Sequence, residues 1–128
     1  MQIIVVAALY MAVGVGSGAF GAHALKESIS PADMAIWEKA VFYHLVHSLA
    51  ALVLVSMPRL GLTERLAASI AWLLLGSVAI FSGSLYLLVL SGYRWLGMIT
   101  PLGGLGFMAS WLLVAFAAWR FKKSRSVS

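Results

Sequence analysis

The chain has 128 residues, enough for one domain; 62% of them are hydrophobic and only 10% are charged, where an ordinary soluble domain carries roughly 25% charged residues. So little polar surface excludes a soluble enzyme, a disordered tail and a nucleic-acid-binding domain, and the lack of cysteine excludes disulfides and thiol chemistry. The natural solvent is a lipid bilayer, in which the net charge of +5 is read first as topology and as attraction to anionic lipid.

The first uncharged run covers about 3–25. As a helix at about 1.5 Å per residue it would measure about 34 Å, enough to cross a hydrocarbon core of roughly 30 Å. Ala22-His23-Ala24 imitates a signal-peptide cleavage site, but no Lys or Arg precedes the run and the run is too long for a signal peptide, so a spanning helix is expected. The second helix announces its start: Ser30-Pro31-Ala32-Asp33 offers an N-cap, a first-position proline and a first-turn acid. Residues 31–40 mix Asp33, Glu38 and Lys39 with Met34, Ile36 and Trp37, which predicts an interfacial amphipathic extension. The span proper follows over about 41–57 and stops at Pro58. A third span covers about 66–90, ended by Ser91-Gly92, and a fourth about 96–119, closed by Arg120, Lys122, Lys123 and Arg125. The expected fold is a single all-α domain, an integral membrane four-helix bundle.

Four spans place both ends of the chain on one side together with the loop before helix 3. That side carries six Lys and Arg (Arg59, Arg65, Arg120, Lys122, Lys123, Arg125) against three on the other (Lys26, Lys39, Arg94). The positive-inside bias therefore puts the N- and C-termini in the cytoplasm. The basic C-terminal stretch is the expected contact for anionic lipid.

Helices in lipid gain nothing by hiding Leu from Leu, so close contacts are sought at small residues. Helix 1 offers Gly14, Gly18 and Ala22 on one stripe with Gly21 beside it; helix 3 offers Gly83; helix 4 offers Gly103 and Gly104. Thr100-Pro101 reads two ways, as a kink inside a helix that begins near residue 96 or as the start of the helix itself. The kinked, continuous helix is the favoured expectation.

Three histidines are the ionisable groups nearest membrane depth: His23 at the outer end of helix 1, and His44 and His47 one turn apart on helix 2. Tyr43, Ser82, Ser84, Tyr86 and Thr100 are expected at the same level, forming an outer-leaflet polar layer to which all four helices contribute. Three imidazoles from two helices suit Zn or Cu, and a pair suits haem. Neutral imidazoles and hydroxyls equally serve as hydrogen bonds between helices. No Asp or Glu lies within a span, and His44-Leu45-Val46-His47 lacks the Glu and the spacing of a zinc-protease helix. No catalytic residue and no metal ligand is assigned, and the cofactor is left open.

Gly18-Ala19-Phe20-Gly21-Ala22-His23-Ala24-Leu25, Trp37 to Ser48, Phe81-Ser82-Gly83-Ser84-Leu85-Tyr86 and Leu96 to Gly104 resemble the small membrane proteins grouped as domain of unknown function 423. That family includes the YgdD-like inner membrane proteins and has eukaryotic relatives. The resemblance covers nearly the whole chain and implies a four-span membrane protein, with no reaction attached. The leading expectation is a non-enzymatic membrane protein, an accessory or assembly subunit whose polar layer fixes helix packing. The alternative is a binding protein or carrier that holds a metal or small ligand in the His, Tyr and Ser pocket. A membrane-protein partner or a homo-oligomer fits either, and nucleic acid fits neither. A reporter fused after Ser128 is expected to behave as cytoplasmic; periplasmic activity of that fusion would reverse the orientation.

Overall fold

The computed structural model describes residues 1–56 and 62–125, the last four in backbone only. It contains four long helices, α1 (Gln2–Phe20), α2 (Pro31–Ser56), α3 (Glu64–Ser91) and α4 (Thr100–Arg125), and no strand among the described residues. Each provides a stretch long and apolar enough to cross a bilayer, so the fold is an all-α membrane four-helix bundle. The expected stop of α2 at Pro58 lies outside the described residues.

The helix ends follow local chemistry. Ser30 caps α2: its Oγ accepts from the Asp33 amide at 3.1 Å and its carbonyl from the Met34 amide at 2.9 Å. Thr63 caps α3 in the same way, accepting from Leu66 N at 3.3 Å, so α3 begins two residues before the uncharged run does. Gly92 ends α3 with φ +77°, a left-handed conformation that favours glycine, and its N–H returns to Leu88 O at 2.9 Å.

Two expectations about helix continuity change. The run 3–25 is α-helical only to Phe20 and then closes with one turn of π-helix, Gly21–Leu25. Helix 4 is not a continuous helix from residue 96 with a kink. Arg94–Met98 forms a 3-10 turn and α4 starts at Thr100. Pro101 therefore sits in a first helical turn, where its missing N–H leaves no bond unmade.

α3 is the central helix, with half of its apolar stretch buried against 17% for the fourth span and 11% for the first. Ile70, Ala71, Leu74, Leu75 and Val78 make the core with Ala7 of α1, Ala51 and Leu54 of α2 and Phe107 of α4. A second cluster near the opposite end joins Leu25, Trp37, Leu88, Val89 and Leu96. α2 packs on α1 and α3, whereas the substantial backbone contacts of α4 are with α3 and the 3-10 turn. The bundle is thus open between α1 and α4.

Small residues make the close contacts, but not at every expected position. A Cβ on Gly103 would stand 2.6 Å from Phe81 N and 2.8 Å from Ser77 O, and one on Gly106 would collide with the Ser77 hydroxyl. Gly14 lies equally tight against Leu45 and Gly21 against Trp37, while a Cβ on Gly18 would touch only Val41 at 3.4 Å. Ala22 is exposed, because steps of four residues drift about 40° around a helix at 3.6 residues per turn. The seven-residue step from Gly14 to Gly21 nearly closes. Gly83 meets nothing within 4 Å, and Gly104 meets only the edge of Phe81 at 3.9 Å; neither is a close helix-packing contact, since Gly83 faces the cavity beside Tyr10 and Gly104 the groove beside Phe81. Gly103→Ala is therefore expected to destabilise the protein by roughly 1–3 kcal/mol, and Gly83→Ala to be neutral or slightly stabilising. Thermal unfolding of the two variants in detergent checks this, and equal melting temperatures would refute it.

Candidate functional site

The polar side chains of the spans form a ladder that begins at the charged rim of α2. With Ser30 occupying the cap, both carboxylate oxygens of Asp33 are free to accept from Arg94, at 2.6 and 2.9 Å. This forked geometry joins the start of α2 to the 3-10 turn before α4, 61 residues away in sequence.

One turn below lies Trp37, only 4% exposed. Its indole occupies the space left by the missing side chain of Gly21, where a Cβ would come within 2.6 Å of Cδ1 and Nε1. From there Nε1 donates to the Ser17 carbonyl at 2.8 Å, tying α2 to α1. The ring also packs on Tyr86 of α3 at 4.6 Å between centroids.

Next, the Ser82 hydroxyl donates to Ala40 O at 2.7 Å, from α3 to α2. The Tyr86 hydroxyl meets Nδ1 of buried His44 at 3.1 Å, and Tyr10 of α1 presents its ring edge-on to the same imidazole at 5.7 Å. Between α3 and α4, Ser84 Oγ stands 2.6 Å from Thr100 Oγ1. Ser84 spends its single proton on Phe81 O at 2.9 Å, so the Thr100 hydroxyl is the donor of the pair.

His47 faces a different neighbour. Its Nδ1 donates to Tyr43 O at 2.9 Å, one turn back on the same helix, and its ring stacks on Phe107 of α4 at 3.7 Å and 18°. Among the described residues two buried polar side-chain atoms, His44 Nε2 and Ser48 Oγ, make no hydrogen bond.

The eight residues expected as one pocket are thus distributed. Tyr43 and His47 line a groove of about 690 Å³ between α2 and α4. His44, Ser82 and Tyr86 line a separate cavity of about 180 Å³ beside Tyr10. Ser84 and Thr100 form a pair of their own. His23 is exposed, because the π turn points Gly21 and Leu25 inward and leaves residues 22–24 outside. Among the described residues no three His, Asp or Glu side chains gather as a metal-binding group. At about 1.5 Å per residue His44 lies about 17 Å and His47 about 21 Å along α2 from Asp33, so the rungs are spread along the helix from its charged start.

Three of these contacts escape sequence reasoning: Asp33 with Arg94, Trp37 with Ser17 O, and His47 with Phe107. Only the Gly21 that makes room for Trp37 leaves a visible trace.

Residues 17–104, which hold every rung of this ladder except Tyr10 and the groove side of α4, match the model of the protein family of unknown function DUF423. The chain belongs to this family. It is 42% identical over 118 residues to a UPF0382 membrane protein of Staphylococcus haemolyticus, covering 92% of this chain and 95% of that one. It is 35% identical to the UPF0382 membrane protein YwdK of Bacillus subtilis, covering 92% and 96%. No solved structure matches it. This DUF423 chain is a membrane protein like those relatives, and the family carries no assigned activity. Among its rungs the indole is expected to matter most. Trp37→Phe should lower stability by about 1–2 kcal/mol through the lost bond to Ser17 O. Gly21→Ala should mimic it by expelling the ring; unchanged melting of both variants in detergent would refute the role given to Trp37.

Proposed function

We propose that this protein is non-enzymatic, an accessory or assembly subunit of the bacterial inner membrane whose polar layer sets which helices touch. The observation that carries this reading is that every pair of successive helices is joined by at least one hydrogen bond. Trp37 reaches Ser17 O between α2 and α1. Ser82 and Tyr86 hold α3 to Ala40 O and His44 of α2. Thr100 holds α4 to Ser84 of α3. Hydroxyls and imidazoles committed to such pairs support a structural layer more than a reactive one, and no Asp or Glu pairs with either buried imidazole among the described residues. The uncovered apolar surfaces of α1 and α4 fit a membrane-protein partner or a second copy.

The same reading places both termini in the cytoplasm, with Arg120 and the basic residues after it against anionic lipid. The side chains of Lys122, Lys123 and Arg125 lie outside the described residues. The test is compositional and mutational. The purified protein is expected to carry no stoichiometric transition metal or haem by elemental analysis and absorption. His44→Gln, which keeps a donor and an acceptor, is expected to stay folded, whereas His44→Leu with Tyr86→Phe loosens the α2–α3 pair. One equivalent of metal in the wild type, lost alike in His23→Gln and His44→Gln, would overturn the proposal.

A further inference from the structure

We infer that the groove between α2 and α4 binds a hydroxylated ring lipid of the quinol class, with His47 Nε2 accepting the hydrogen bond of its hydroxyl. The inference is independent of the assembly reading, because His47 takes part in none of the bonds between helices. Either can fail while the other stands.

The groove has the size of a small-molecule site: about 690 Å³, within the roughly 300–1,000 Å³ usual for such sites. Its wall is lined by aromatic rings. Tyr43 and His47 lie 11° from parallel, and His47 and Phe107 18°. Phe81 is inclined 56° to Phe107 and Trp111 61° to His47. Rings set at both angles offer an aromatic guest face-on and edge-on packing.

The Tyr43 phenol and the His47 imidazole are polar side chains of the wall, and the backbone fixes the hydrogen-bonding state of the imidazole. A carbonyl oxygen can only accept, so the bond to Tyr43 O fixes the proton on Nδ1. An uncharged ring then leaves Nε2 as an acceptor, and no hydrogen bond among the described residues uses it. A guest must bring a donor to it: a quinol hydroxyl does, whereas the carbonyls of the oxidised quinone do not. The groove opens past Leu105, Met108 and Leu112, which are 61%, 62% and 67% exposed on the outer side of α4. In a membrane that side is lipid, so the guest enters from the hydrocarbon phase and leaves its tail there.

Gly104 gives a clean way to close the site. It lines the groove, and a Cβ there would meet only Phe81 atoms at 3.9 Å. A larger side chain at 104 therefore fills the groove without disturbing the α3–α4 seam.

The experiment is titration calorimetry of the full chain in detergent micelles, corrected by empty micelles, with a decyl-substituted benzoquinone as probe in its reduced and oxidised forms. Saturable one-site binding of the quinol is expected, with affinity at least about ten-fold weaker for the quinone. His47→Leu and Gly104→Leu are each expected to weaken quinol binding about ten-fold or more while helicity by circular dichroism is kept. The comparison of the two redox forms uses the wild type alone, so it holds even if a variant misfolds. Absence of saturable quinol binding, equal affinity for the two forms, or full competition by decane would overturn the inference; the last would mark a groove for acyl chains.

Discussion

Lipid removes the usual reason for helices to associate, since an apolar side chain is as well solvated by acyl tails as by another helix. What remains is the fit of backbones at small residues and the need of each polar group for a partner. Nearly every specific contact in this structure belongs to one of those two kinds. Gly103 and Gly106 bring α4 onto Ser77 and Phe81, and Gly21 admits the Trp37 indole. The hydrogen bonds of Trp37, Ser82, Tyr86 and Thr100 then select the register at which those surfaces meet.

The two kinds of contact depend on each other. Trp37 reaches the Ser17 carbonyl only because Gly21 carries no Cβ, and Thr100 meets Ser84 only because α4 lies close to α3 along Gly103. At the rim, the Arg94 and Asp33 pair is exposed on the arginine side, 60% against 15% for the aspartate. Exposed pairs of this kind contribute little stability. Its value lies in position, because it holds the 3-10 turn against α2 and so sets the height at which α4 begins.

Much of the architecture is legible in the residue order. The Ser30-Pro31 start and the Ser91-Gly92 stop depend on local capping, and both form where they are read. Thr100-Pro101 is not decidable locally, since the pair suits a kink and a helix start equally; the 3-10 turn over Arg94–Met98 makes it the start. The small residues show the same limit. Gly14, Gly21 and Gly103 sit at contacts, Gly83 and Ala22 do not, and only the facing helix distinguishes them. The candidate site was visible as a set of residue types and invisible as a set of pairs, because the pairing partners stand 42 and 61 residues apart.

The open side between α1 and α4 bears on how the chain is put into its membrane. Ser17 lies 20 residues before Trp37, Ala40 lies 42 before Ser82, and Ser84 lies 16 before Thr100. Each bond thus joins a span to the one made just before it. As synthesis proceeds, a newly inserted helix finds its partners already in place, and α1 never has to wait for α4. Such an order keeps unpaired polar groups in lipid for the shortest time and shields early helices from wrong neighbours. The gap is then the mark of a bundle that is closed link by link from its first helix to its last.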